Sequence, residues 1–334
     1  MKNWLKNALV VVATFLLCLI GAEVIMRLFS LDQTLRYVND KELYWTFQPN
    51  QYGYIWMGQG SFKSPDIRIN NVGFRGQDID TSRATTPRIL MLGDSYAFGA
   101  GVGEEETLAA VIKKHLAAQQ PEVINAGVPG YGIFQTAVLL KRWIPILRPD
   151  VVVLIFPIGD ILRQPFATKQ EEEQFLSQQE KRKKLRDISK FLTFVYRKMY
   201  YLYLRHSQAK AVPNEKKQVN RGIKQLNDLW QKDLKRIREM AILCERSGAH
   251  FLILVWPQKQ FAAVEQTIIE DLQSLASVSN KITVLSELKS YFQPYPEETL
   301  IIQGDGHPSP LAYQIAGRYI AENIPQMRKD VLPQ

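Results

Sequence analysis

The sequence predicts a three-layer α/β/α domain built on a parallel sheet. Three observations carry that expectation. After Pro87, strand-like and helix-like segments alternate along the chain. The strand-like segments are continuous apolar runs rather than apolar–polar alternations, the mark of strands buried on both faces. Glycines and small polar residues then follow directly on several of these runs, where an open parallel sheet presents its carboxyl-end loops. With 334 residues, 46% of them hydrophobic, the chain can bury a large core.

The first element precedes that domain. "MKNWLKNALVVVATFLLCLIGAEVIMRLF" is apolar from Leu5 to Ala22 apart from Lys6, Asn7 and Thr14, long enough to span a bilayer as a helix. Ile20-Gly21-Ala22 also fits a signal-peptide cleavage site, but the apolar character resumes after Glu23, so residues 1–25 are read as a retained signal anchor. The flanking charges, Lys2 and Lys6 against Arg27, Arg36 and Lys41, are nearly balanced and set no orientation. The short N-terminal tail favours export of the body, to the periplasm or cell surface. The two cysteines, Cys18 and Cys244, suggest no disulfide framework.

Residues 26–86 form a mixed lead-in rich in aromatics and glycine, with "INNVGFRGQDI" reading as a strand end and turn. Residues 87–330 form the main domain. "RILMLGD" is its first buried strand and "ETLAAVIKKHL" an amphipathic helix with Leu108, Val111, Ile112 and Leu116 on one face. A short strand and glycine loop, "PEVINAGVPGYG", leads to the helix "FQTAVLLKRWIPIL" and the apolar strand "PDVVVLIFPIGD". At about 166–220 a charged and then aromatic helical insertion interrupts the alternation. Its run "FLTFVYRKMYYLYLR" reads as core packing of the insertion, the rival being a lipid or sugar platform. A helix from about Gly222 to Gly248 carries Ile223, Leu226, Trp230, Leu234, Ile237, Ala241 and Cys244 at spacings of three and four, and belongs to the core. The strands "FLILVWP" and "KITVLSE" and the helix "SPLAYQIAGRYIAENI" complete the domain. The net charge of +9 is concentrated between Arg163 and Arg246, a local feature that faces lipid headgroups, an anionic polymer or water. No nucleic-acid partner is expected.

Ser95 stands where the first buried strand ends. A serine hydroxyl needs a base at hydrogen-bond distance and a third group to orient that base. Among the four histidines, His307 has a carboxylate two positions away, Asp305, in the loop "GDGHPSP". The same loop also reads as a plain helix start, Ser309 capping and Pro310 in the first turn.

Taken together, Gly93-Asp94-Ser95, "NAGVPGYG" with Asn125 and Gly130, and Asp305-x-His307-Pro308 resemble the blocks of the SGNH, or GDSL, esterase and lipase superfamily. "GFRG" at Gly73–Gly76 resembles a segment that precedes the first block in membrane-anchored members. The resemblance covers roughly residues 69–165 and 222–325. It implies a flavodoxin-like sheet, Ser95 as nucleophile, His307 as base and Asp305 as its orienter. The N–H groups of Ser95 and Gly130 are implied as oxyanion donors, with no metal or organic cofactor. One departure stands out: Gly159, followed by Asp160, occupies the position where the family places an asparagine donor. Asn125, Gln164 or Arg163 is expected to replace it, and Gly159→Asn is expected to restore it. The implied function is hydrolysis of acyl esters, O-acetyl groups of envelope or exported polysaccharide among them. An O-acyltransferase of the same fold, a lipase and an inactive scaffold subunit with an envelope-assembly partner are its rivals.

Overall fold

The computed structural model describes residues 2–29, 33–58, 62–82, 86–208 and 222–325. The chain forms two compact units, Met1–Thr34 with Thr168–Val212, and Leu35–Ala167 with Pro213–Gln334. The larger one opens with three short antiparallel pairs. Strand β1 (Tyr37–Asp40) pairs with β2 (Tyr44–Phe47), β3 (Gln51–Gly53) with β6 (Ile67–Ile69), and β4 (Trp56–Met57) with β5 (Phe62–Lys63). The lead-in is therefore folded and packed, with Leu43, Phe47, Met57, Ile67 and Ile69 all buried.

A five-stranded parallel sheet follows: β7 (Arg88–Leu92), β8 (Glu122–Asn125), β9 (Val151–Pro157), β10 (His250–Trp256) and β11 (Ile282–Leu285). Across the sheet they run β11-β10-β9-β7-β8. The chain thus starts one strand in from an edge, steps to that edge and returns to build the other side, which is flavodoxin-like order. Ligands in such sheets bind beyond the strand ends where the order reverses, here between β7 and β9.

Alternate residues of each strand feed opposite layers. Leu90, Leu92, Leu154, Phe156, Ile253 and Val255 face a core shared with α4 (Ile133–Leu147), α7 (Ile223–Arg246) and α8 (Ala262–Ala276). Ile89, Met91, Val153, Ile155, Leu252 and Leu254 face a second core shared with α3 (Leu108–His115) and α11 (Pro310–Asn323). Three short or solvent-facing elements complete the unit: α2 (Ser95–Phe98) after β7, and α9 (Leu288–Phe292) and α10 (Glu297–Leu300) before α11. Cys244 is buried on α7, and burial pushes its thiol up to about 12.

Among the described residues, the smaller unit holds three helices. The N-terminal helix α1 runs Lys2–Leu28, past the expected end at 25, and its stretch Trp4–Leu28 is long and apolar enough to cross a membrane. The insertion is helical as expected: α5 (Lys169–Ile188) and α6 (Lys190–Gln208). Residues 209–221 and 326–330 of the expected domain lie outside the described residues. On α6, Leu192, Val195, Tyr196, Met199, Leu202 and Tyr203 are exposed while Phe191 and Phe194 are half-buried, so among the described side chains the run is core packing only in part.

Candidate active site

The turn from β7 into α2 sets the site. Gly93 has φ +144, and a Cβ there would lie 2.6 Å from the Ile155 carbonyl oxygen, so only glycine lets β7 pass β9 this closely. Asp94 then caps α2, its Oδ1 accepting from the Tyr96 N–H at 2.8 Å. That cap holds Ser95 as the first residue of the helix, 6% exposed at the carboxyl end of the sheet.

His307 arrives from the other end of the domain. Its loop closes on itself: Ile302 N–H donates to the His307 carbonyl (2.7 Å) and Gly306 N–H to the Ile302 carbonyl (2.9 Å). Ser309 does cap α11, accepting from Ala312 N–H at 3.3 Å, with Pro310 in the first turn. The helix-start reading of this loop holds, and the same loop also carries His307 to Ser95. His307 Nε2 lies 2.9 Å from Ser95 Oγ, and His307 Nδ1 hydrogen-bonds Asp305 Oδ2. Asp305 Oδ1 also accepts from the Gly58 N–H. Burial alone would raise the Asp305 carboxyl; its bonds to His307 and Gly58 outweigh that and hold it below the ordinary range. Tyr96 lies against the imidazole, ring centroids 5.8 Å apart, and stacks edge-on against Trp256.

Ser95 Oγ has one proton and two neighbours that can accept it. Besides Nε2, Asp94 Oδ2 lies 3.2 Å away. That same oxygen accepts from Arg163 Nη1 at 2.6 Å. Arg163 Nη1 also reaches Asp160 Oδ1 (2.5 Å) and the Tyr131 carbonyl (3.2 Å). One guanidinium thus joins the loops that follow β7, β8 and β9. Burial pushes the Asp160 carboxyl well above its ordinary range, the neighbouring Asp94 adds to this, and Arg163 opposes it. Burial works against the Arg163 charge, but Asp160 and Asp94 outweigh it and hold the guanidinium more firmly protonated than usual.

The other expected site residues divide. Gly130 is exposed on the loop after β8, at φ +86, close enough to Trp45 that a Cβ would meet that ring at 3.2 Å. Among the described residues, neither its N–H nor that of Ser95 has a hydrogen-bond partner. Asn125 is not brought to the serine. Its Nδ2 donates to the Phe98 carbonyl (3.2 Å) and its Oδ1 accepts from Gly127 N–H (3.1 Å), which ties β8 to the segment after α2. Gln164 is likewise engaged elsewhere, donating to Asp233 (2.8 Å) and accepting from Arg236 (2.8 Å).

Gly159 corrects an expectation. Its N–H donates to Gln258 Oε1 at 2.6 Å, and a Cβ there would meet that oxygen at 2.8 Å and Phe261 Cε2 at 2.9 Å. The space an asparagine side chain would enter is filled from the loop after β10, so Gly159→Asn does not simply restore a donor. Gln258, whose Nε2 reaches the Tyr96 hydroxyl at 3.4 Å, and Gly58 were not foreseen. Gln258 follows the end of a predicted strand, as Ser95 does, and that position was the available signal. Nothing local marks Gly58, because its role is a backbone N–H meeting a residue 247 positions away. The "GFRG" segment has a structural part: Arg75 is buried and donates to the carbonyls of Phe98, Gly99 and Val102, fixing the loop behind α2.

Solved structures similar in fold include a lipolytic protein of the G-D-S-L family from Desulfitobacterium hafniense (16% identity, 71% of this chain and 99% of that one, TM-score 0.43). A lipase/acylhydrolase from Enterococcus faecalis (17%, 71% and 94%, 0.41) is another. A third is a catalytic mutant of an acetylxylan esterase from Geobacillus stearothermophilus (12%, 71% and 93%, 0.44). No curated protein sequence matches the chain. The profile of the GDSL-like lipase/acylhydrolase family matches residues 91–315, from the middle of β7 into α11. The span takes in Ser95, the loops after β8 and β9, and His307, and on it the chain belongs to the GDSL-like lipase/acylhydrolase family.

Proposed function

We propose that this chain is a serine acyl-esterase whose catalytic residues are Ser95, His307 and Asp305. One observation carries the assignment. Ser95 Oγ meets His307 Nε2 at 2.9 Å while Nδ1 is held by Asp305, in residues 212 positions apart for the first pair. Such an arrangement is costly to assemble by chance and is what an activated hydroxyl requires.

The reaction runs as follows. With Nδ1–H donated to Asp305, Nε2 is free to accept. Ser95 Oγ attacks the ester carbonyl carbon as its proton passes to Nε2. The carbonyl π electrons move onto oxygen, and that oxyanion accepts hydrogen bonds from the Ser95 and Gly130 N–H groups. Collapse of the tetrahedral adduct expels the alkoxide, which takes the proton from Nε2 and leaves as the alcohol. Water then attacks the acyl-serine, gives its proton to Nε2, and the acid departs as Oγ regains that proton. Arg163 is the third oxyanion donor. Its Nη1 bonds Asp94 Oδ2, the oxygen that Ser95 Oγ also touches, together with Asp160 and the Tyr131 carbonyl, and the side chain is 40% exposed, so the guanidinium stands beside the serine with further N–H groups to donate. The competing donors, Asn125 and Gln164, are engaged elsewhere.

The anchor reading of α1 places this reaction at a membrane, with the body outside it. Esters of envelope or exported polysaccharide are then the accessible substrates. A fluorophosphonate probe on the full-length chain tests the core of the proposal. Wild type should be labelled on Ser95, and both Ser95→Ala and His307→Ala should abolish labelling. An unlabelled wild type, or a labelled Ser95→Ala, would reject it. The released acid measured with acetylated polysaccharide against aryl acetate then decides the substrate class.

A further inference from the structure

The smaller unit carries a feature the esterase reaction does not use. Glu23 and Arg27 lie one turn apart on α1 and bond each other. Together they cap the junction between α5 and α6. Arg27 Nη2 donates to the Ile188 carbonyl at the C-terminal end of α5 (3.3 Å). Glu23 accepts from the Ser189 hydroxyl (2.7 Å) and from the N–H groups of Lys190 (3.1 Å) and Phe191 (2.9 Å) at the start of α6. Each charge meets the helix terminus of opposite sign. The insertion is therefore fastened to the last turns of the apolar helix.

Beyond that fastening, α6 leaves one face open. Leu192, Val195, Met199, Leu202 and Tyr203 recur at spacings of one, three and four, and all are exposed, Met199 by 63% and Tyr203 by 67%. Those spacings form a single stripe along the helix. In the sequence, the stripe is preceded by the basic run Lys181-Arg182-Lys183-Lys184, and α6 itself includes Arg197, Lys198 and Arg205.

We propose that α6 lies in the membrane interface, its apolar stripe in the acyl region and its basic neighbours at anionic headgroups. The occupant follows from continuity. The apolar side chains of α1 are as exposed as the stripe, and a helix of that length and composition needs lipid around it. The start of α6 is bonded to Glu23, five residues before the end of α1, so it starts near where the span meets the headgroups. The charges within α6 keep it from crossing the hydrocarbon, while tyrosines and a one-sided stripe suit the boundary. The lysines and arginines of α5 supply the attraction to anionic lipid.

This proposal rests on α1 being a retained anchor, and the test separates the two. The full-length chain in a Cys18→Ser background, with Cys244 buried and unreactive, is reconstituted in phosphatidylethanolamine/phosphatidylglycerol nanodiscs. Single nitroxide labels are placed by Leu192→Cys, Val195→Cys, Met199→Cys, Leu202→Cys, Val11→Cys and, on α5, Glu172→Cys. Collisions with oxygen report lipid, and collisions with a water-soluble nickel chelate report solvent. All four α6 labels should favour oxygen, as Val11 does, while Glu172 favours nickel. Nickel access along α6 with Val11 in lipid overturns the interfacial helix and leaves the anchor standing. Low collision with both reagents on α6 means protein covers the stripe and also overturns it. Loss of the Val11 label from the mature chain removes the anchor and this proposal together.

Discussion

Gly159 has no room for a side chain. A Cβ would come within 2.8 Å of Gln258 Oε1 and 2.9 Å of Phe261, so Gly159→Asn must displace Gln258, which also braces Tyr96 against the imidazole. The expected result is a lower kcat and a lower thermal midpoint, measured by acetate release and by melting. A gain in kcat would show that the loop yields and the donor is restored. Arg163→Gln should lower kcat by about 10²–10³ with a smaller change in KM, since an oxyanion donor acts on charge that develops in the transition state. Equal loss in a ground-state binding assay would assign Arg163 to positioning alone. Ser95→Ala, His307→Ala and the double variant should fall to the same residual rate, because they act as one unit.

At the scale of elements, the β7–α2 turn and the β1–β2 pair bear the strain and the tether. Gly93→Ala places a side chain at φ +144 and against the Ile155 carbonyl; the backbone term alone is about 1–3 kcal/mol. Its denaturation midpoint should drop, with Ser95 labelling lost in step. Asp40, at the end of β1, holds Arg142 of α4 through two bonds of 2.7 and 3.1 Å. Those bonds, against a burial penalty, lower the Asp40 carboxyl to about 2. A carboxyl lowered on folding stabilises above its ordinary range and loses that contribution as pH falls from about 4 through about 2. Asp40→Asn should therefore destabilise most at pH 7 and clearly less at pH 2.5, read from urea midpoints at both values.

For the whole molecule, the buried acids set an opposite slope. Asp233, fully buried on α7, is pushed up to about 6 by burial, against the pull of Arg236. The folded state then holds a proton the unfolded chain has released, so stability falls as pH rises from about 4 to about 6. Asp233→Asn should flatten the denaturation midpoint across that window; an unchanged slope would mean the Arg236 pairing compensates fully.

Much of this architecture was legible because it is written in local pattern. Continuous apolar runs announced the strands, spacings of three and four announced α3, α7 and α11, and the Gly-Asp-Ser and Asp-x-His-Pro blocks announced the residues that meet. Periodicity and blocks need only nearest-neighbour chemistry, so the sequence by itself determined the three-layer domain, the helical insertion and the apolar first helix. What it left open depended on contacts between distant segments. The Gly58 N–H on Asp305, Gln258 in the space beside Gly159, Asn125 turned to Phe98 and Arg163 joining three loops all arise from chain packing. Only the tertiary structure could decide them, because a hydrogen bond is fixed by where two groups end up, and residue spacing along the chain does not hold that information.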